Sequence, residues 1–373
     1  MSEKIAHKFI GYRVRAAREA KGWTQDQLTR GLALKDRQSV SDIENGKRGV
    51  KSDELLVLAD LLDRELEFFL DPFAVTGEAR FSWRVAPTVA EAVLDRFEQQ
   101  ASQWIGLLRW LREQQDQRRS VLKRTLRLMA QSSFEVAQAR AEGLATELNL
   151  GLIPAETLID QVERELDIPV LFVDMADASP GETISGATCH LDDLGVILIN
   201  RQEPEGRRFY DLAHELFHAL TWEAMRPDHR ESNAPDERHK GKRIEQLADN
   251  FAAALLMPQT SLEHILDYNR CNDLGHLSEV AARLRVTPMA LAWRLFNLKL
   301  IDDDTRRSLG QQKQRPSVAS VPKRFSPAFV QHLHEALDRG QLSARKAAKA
   351  MGLGLGGLNE LFAEYGLPAP FEL

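Results

Sequence analysis

At 373 residues the chain is too long for one ordinary compact domain, so two or three domains are expected. Its 43% hydrophobic and 28% charged residues exclude a wholly disordered chain, and no apolar run approaches the roughly 18 residues that span a bilayer. The net charge of −6 hides a local asymmetry, because residues 8–51 hold 11 Lys/Arg against 5 Asp/Glu while residues 52–72 hold 1 against 7. The opening residues Met1 to Lys8 lack the apolar core of a secretory signal, which with the missing membrane span points to the cytoplasm. Two isolated cysteines, Cys189 and Cys271, exclude a disulfide framework and a CxxC metal site.

Residues 8–72 read as a run of short helices. Phe9 to Lys21 sets Ile10, Val14 and Ala17 on one face and stops at Gly22. Thr24 is placed to cap Gln25–Leu32, and Asp36 to cap Arg37–Asn45, with Gly46 just past its end. A fourth helix starts near Ser52 with an apolar set from Leu55 to Leu62, and Asp71-Pro72 closes the unit. The third helix reserves Val40 and Ile43 for a core and leaves Gln38, Ser39, Ser41, Asp42 and Asn45 on a polar face, as a helix lying in a major groove requires. Gln25 opens the preceding helix and Lys47-Arg48 follow the third; both places suit phosphate contacts that set register without reading bases. The segments Thr24-Gln25-Asp26-Gln27-Leu28 and Val40-Ser41-Asp42-Ile43-Glu44-Asn45-Gly46 resemble the XRE-type helix-turn-helix family over residues 8–70. That resemblance implies double-stranded DNA as a partner, and a homodimer, since such proteins read paired half-sites.

Residues 73–147 are predicted to form a helical connector, with Trp104, Leu107, Leu108, Trp110 and Leu111 as its apolar stripe. Strand patterns follow at Ile168–Asp174, Thr183–His190 and Gly195–Asn200, and helical patterns at Arg207–Trp222 and Lys242–Met257, the second stopped by Pro258. Between the two helices, Arg226–Gly241 reads as a polar loop carrying His229 and His239. Short helices run from about Ala281 to Leu300, a Gln, Ser, Pro and Lys-rich linker spans 309–323, and 324–373 form a small helical module expected to pack against the preceding domain.

His214-Glu215-Leu216-Phe217-His218 falls inside the first of those helices. Residues four apart share a helix face, so both imidazoles can reach one zinc ion (Zn2+), while Glu215 lies beside them as a candidate general acid/base. A catalytic zinc needs a third protein ligand, and Glu245, at the start of the next helix, is the candidate. Asp249, one turn on, can accept a hydrogen bond from a ligand histidine's other ring nitrogen. Tyr268 and His264 are candidate oxyanion stabilisers by position alone.

Three stretches carry a second resemblance: Ile184-Ser185-Gly186-Ala187 with Val196-Ile197-Leu198-Ile199-Asn200, then Phe209 to His218, then Glu245-Gln246-Leu247-Ala248-Asp249-Asn250-Phe251 to Pro258. Together they resemble the ImmA/IrrE metallopeptidases over about residues 150–300. The resemblance implies zinc on His214, His218 and Glu245, with Glu215 as catalytic acid/base. Phe217 departs from the glycine more usual there, and a bulky side chain at that point is expected to narrow the cleft.

The expected fold is multidomain and mainly α with a small β-sheet. It comprises a helix-turn-helix bundle (8–72), the helical connector (73–147), an α+β zincin-like metallopeptidase domain (148–308), the linker and the helical C-terminal module. The expected function is a DNA-binding transcriptional regulator whose zinc-dependent endopeptidase cleaves a protein substrate, a repressor or antitoxin-like protein, in a stress, prophage or defence response. The alternative is a non-proteolytic repressor or antitoxin that uses the peptidase fold as a sensor or partner-binding module. A purely structural zinc is a third reading, disfavoured by Glu215, for which such a site has no use.

Overall fold

A computed structural model describes residues 3–115, 125–175, 183–232, 241–312 and 321–372. Five helices come first: α1 (Glu3–Ala20), α2 (Gln25–Gly31), α3 (Arg37–Glu44), α4 (Ser52–Leu61) and α5 (Leu66–Leu70). Strand β1 (Arg80–Val85) precedes the long helix α6 (Glu91–Gln114), followed by α7 (Phe134–Glu147) and α8 (Leu158–Glu165). Strands β2 (Val170–Val173), β3 (Ile184–His190) and β4 (Gly195–Asn200) lead into α9 (Glu205–Thr221), β5 (Arg230–Ser232) and α10 (Gly241–Leu256). The remaining helices are α11 (Gln259–Ile265), α12 (Leu274–Arg283), α13 (Pro288–Asn297), α14 (Asp303–Gly310), α15 (Pro327–Asp338), α16 (Ala344–Met351) and α17 (Leu355–Glu364).

The chain divides into two compact units, and the division does not follow chain order. The first takes residues 1–79, 94–118 and 328–373; the second takes 80–93 and 119–327. In the first unit Val14, Leu28, Val40, Ile43, Leu58 and Phe69 are fully buried in one core. Local chemistry sets its helix ends. Thr24 and Gln27 form a reciprocal capping box on α2, Asp36 accepts the Ser39 N–H at 2.9 Å to start α3, and Gly46 takes a positive φ of 68° to end it. At Gly46 any Cβ would also lie 2.6 Å from Lys8 Cα, so space as well as backbone angle requires glycine.

Helix α6 and the C-terminal helices belong to this same unit. Trp104 Nε1 donates to the Met351 carbonyl at 3.0 Å, and Arg109 pairs with Glu78 at 2.7 Å out of solvent. The C-terminal module, expected to pack against the metallopeptidase domain, instead shares a compact unit with α6, where Gln100 and Trp104 donate to the Ala350 and Met351 carbonyls.

The second unit holds a five-stranded sheet in the order β2-β4-β3-β1-β5. Strands β3 and β4 pair antiparallel, β2 joins β4 parallel, and β1 joins β3 antiparallel with Arg84 opposite Gly186. The expected helical connector over 73–147 is corrected by β1. Phe81, Trp83 and Val85 alternate with Ser82 and Arg84, a two-residue period that suits a strand, and ladder pairing with β3 and β5 satisfies its backbone. The loop expected at 226–241 carries the short strand β5, while His239 lies outside the described residues. Nearly every residue of α9 is buried, with Leu216 and Leu220 facing a core shared with Leu247, Phe251 and Leu255 of α10. This sandwiching, sheet against α9 and α9 against α10, fixes the height at which the polar side chains of the two helices meet.

Candidate metal centre and nucleic-acid interface

His214, Glu215 and His218 have no solvent-exposed surface. One helical turn brings the two imidazoles together, with their Nε2 atoms 3.0 Å apart. Glu245, from the first turns of α10, approaches the same point. One of its oxygens lies 3.1 Å from His214 Nε2 and the other 3.7 Å from His218 Nε2. Among the described residues these three form the only His/Cys/Asp/Glu group whose donor atoms lie within 4.8 Å of one another. Nitrogens and carboxylate oxygens this close either share protons or converge on a cation. For zinc bonded at about 2.0–2.1 Å, a tetrahedral site sets ligand atoms about 3.3 Å apart. The observed separations bracket that value, and imidazole with carboxylate is a donor set zinc accepts, so the residues fit the ion.

The histidine orientation is set from behind. His214 Nδ1 donates to Asp249 Oδ1 at 3.0 Å, which turns its Nε2 lone pair towards Glu245 and His218. Asp249 follows Glu245 by one turn of α10, so a single helix supplies both groups. Burial opposes charge on Asp249, but the hydrogen bond and charge of His214 and the charge of Arg84 outweigh it and hold the carboxyl below its usual range. Glu245 is likewise held well below the usual range: burial raises it, and the two histidines more than reverse that.

Sequence reasoning missed four further groups. Thr188 of β3 places its hydroxyl 2.8 Å from Glu215 Oε2 and 2.9 Å from the Glu215 carbonyl, which pins the glutamate against the sheet. Tyr210 donates its hydroxyl to the Asp249 carbonyl at 3.2 Å, and burial followed by the charge of Asp249 pushes its phenol well up, so it stays protonated. Asp211, fully buried, takes Arg207 at 3.1 Å on one oxygen and faces Arg84 at 3.3 Å on the other. Arg84 reaches this cluster from β1. Asp211 stands three residues ahead of His214 on the same helix, so its proximity was open to a helical-wheel reading; Arg84 gave no such signal.

Phe217 corrects an expectation. Its ring is fully buried and packs at 5.5 Å on Phe251, filling the interface of α9 and α10, with its edge towards His218. It contributes to the core that supports His218 and does not narrow a cleft. Neither oxyanion candidate joins the cluster among the described contacts. Tyr268 sits in a short turn with 47% of its surface exposed, and His264 is an exposed residue of α11 whose Nδ1 donates to the Thr260 carbonyl at 2.7 Å. His229 is exposed, and its carbonyl accepts the Trp83 N–H at 2.9 Å.

In the first unit α3 turns Val40 and Ile43 inward, and Gln38 and Asn45 stand exposed while Ser39, Ser41 and Asp42 are half-buried. Gln38 donates to Asp42 at 2.8 Å, and Asn45 bridges the Ser41 carbonyl and Arg15. Glu44 is buried at the junction of three helices, taking Arg18 at 2.5 Å and Gln25 at 2.8 Å. Gln25 also accepts from Arg37 at 2.9 Å at the surface, so both ends of its amide are engaged within the protein. Arg48 pairs with Glu54 at 2.5 Å, whereas Lys47 is exposed.

Residues 152–296 match a peptidase family model, Peptidase_M78, described as an IrrE N-terminal-like domain, and residues 14–69 match one described as helix-turn-helix. No curated protein matches the chain. The first match points to a metallopeptidase fold and spans α9 and α10; the second points to DNA binding and spans α2 and α3. Strand β1 lies in neither. Among the described residues no helix is long and apolar enough to cross a membrane.

Proposed function

We propose that this chain, a helix-turn-helix domain joined to an IrrE-like domain of the M78 peptidase kind, is a DNA-binding regulator carrying a zinc-dependent endopeptidase. The observation that carries the reading is the convergence of His214, His218 and Glu245 with Glu215 beside them. Zinc, when bound, supplies Lewis acidity to the scissile carbonyl and acidifies water at the site. Glu215 takes the proton from the attacking water and delivers it to the leaving amine. Thr188 holds that carboxylate in place, and Asp249, whose carbonyl accepts the Tyr210 hydroxyl, holds the ring of His214.

The substrate on this reading is a repressor or antitoxin-like protein cleaved in a stress, prophage or defence response, in the cytoplasm. Helix α3 reads the major groove through Gln38, Ser39, Ser41, Asp42 and Asn45, Lys47 contacts phosphate, and a homodimer spans paired half-sites. Gln25 and Arg48 act mainly by bracing the bundle, given their internal partners. One observation favours the second reading, a non-proteolytic repressor or antitoxin with a sensor domain: Glu215 has no exposed surface, so a peptide reaches it only after the site opens.

The test is a comparison of wild type with Glu215→Gln in cells and in vitro. Zinc content and DNA binding stay unchanged while cleavage of a neighbouring repressor falls by about 10²–10⁴-fold. Unchanged regulation by the variant favours the sensor.

A further inference from the structure

Arg84 is 7% exposed and stands on β1, a strand outside the residues that match the peptidase family. The segment 80–93 that carries β1 is flanked on both sides by residues of the other compact unit, 1–79 and 94–118, so the peptidase-like unit takes this strand from a separate part of the chain. Pairing holds β1 in place without help from a charge: it bonds to β3 from Arg80 to Val85 and to β5 from Trp83 to Val85. On its other face Trp83 is fully buried and stacks on Phe81 at 5.2 Å. A buried guanidinium is therefore not needed to form the sheet, and its desolvation is costly unless carboxylates answer it.

Two carboxylates do. Arg84 Nε lies 3.3 Å from Asp211 Oδ1, and a terminal nitrogen lies 3.6 Å from Asp249 Oδ1, the same oxygen that accepts His214 Nδ1 at 3.0 Å. Neither Arg84 Nε nor Asp211 Oδ1 completes a hydrogen bond, so the guanidinium sits between the two acids as a shared counter-charge and is not locked onto one of them. Burial opposes its charge, and Asp211 followed by Asp249 more than reverses that.

We infer that Arg84 is a positioning residue for the metal centre, holding Asp249 as the anionic acceptor that orients His214. The assignment rests on the zinc reading above and extends it to a strand outside the matched domain. Without Arg84, Asp249 Oδ1 loses the cation 3.6 Å from it and Asp211 Oδ1 loses its facing guanidinium, while Asp211 Oδ2 keeps Arg207. Asp249 then swings towards solvent, and the His214 ring loses its fixed direction.

The experiment uses full-length protein and zinc competition against a chromophoric chelator, with the visible spectrum of the cobalt-substituted protein as a second readout. Arg84→Met is expected to weaken zinc binding about tenfold, the size usual for a lost outer partner of a ligand histidine, and to alter the cobalt bands. Arg84→Lys, which keeps the charge, recovers affinity to within about threefold of wild type. Arg84→Gln replaces the Met variant if that one fails to fold, with the same expected loss. A wild type that binds zinc alongside a folded, uncharged variant with the same affinity and the same cobalt spectrum overturns this assignment alone. A wild type that binds no zinc overturns it together with the peptidase reading.

Discussion

Gly11 lies on α1 where that helix crosses the end of α3, and it sets how closely the two approach. A Cβ built there falls 2.2 Å from the Ile43 carbonyl oxygen and 3.2 Å from the Glu44 carbonyl. A carbon and an oxygen not bonded to each other need more than about 3 Å, so Gly11→Ala forces the two backbones about 1 Å apart. No side chain can rotate away, because the obstacle is main chain. Alanine gains about 1 kcal/mol of helix propensity over glycine, and overpacking costs about 1–3 kcal/mol, at the upper end here. The net expectation is a first unit less stable by about 1–2 kcal/mol. The displaced element is α3, which carries Gln38 and ends at Asn45, and Glu44 beside the clash holds Arg18 and Gln25. Duplex binding is therefore expected to weaken about tenfold, an extra cost of about 1.4 kcal/mol. Urea titration followed by circular dichroism gives the first quantity, and anisotropy of a labelled duplex at fixed salt gives the second. A Gly11→Ala chain as stable as wild type, with unchanged affinity, refutes the close crossing of α1 and α3.

Lys47→Ala is expected to lower the slope of log affinity against log salt by about 0.9, one phosphate contact, and Arg48→Ala by less because Arg48 is engaged by Glu54; duplex titrations at several salt concentrations read both. Glu54 supplies a pH dependence: burial alone would raise its carboxyl, but the Arg48 hydrogen bond and the Lys51 N–H at 3.0 Å lower it. A folded value below the unfolded one, about 4.3, means the stabilisation is present above that pH and is lost as pH falls through the folded value. Glu54→Gln should thus be less stable than wild type by about 1 kcal/mol at pH 7, with the difference closing as pH falls through the folded value in paired urea titrations.

The candidate metal centre was legible because helical periodicity alone sets His214 beside His218 and Glu245 beside Asp249, and those pairs then need only to face one another. Helix α3 was legible for a similar reason: Asp36 and Gly46 mark its ends, and Val40 and Ile43 its inward side. What escaped was long-range. Strand β1 has the alternation of a strand, but its partners lie about a hundred residues on, in β3, and further on in β5, so nothing nearby distinguishes it from the surrounding helical stretch. Arg84 looks in sequence like one more solvated charge, and only pairing across the sheet brings it near Asp211 and Asp249. Gln25 and Arg48 illustrate the converse: their residue types suit DNA, yet each is engaged by other side chains of the same bundle.

The most direct measurement is the zinc content of the purified full chain and of two variants prepared alongside it. Wild type and Glu215→Gln should each carry about one zinc per chain, and Glu245→Ala, which removes the carboxylate reaching both imidazoles, should lose it. Zinc retained in full by Glu245→Ala, or lacking from wild type, contradicts a centre built from His214, His218 and Glu245.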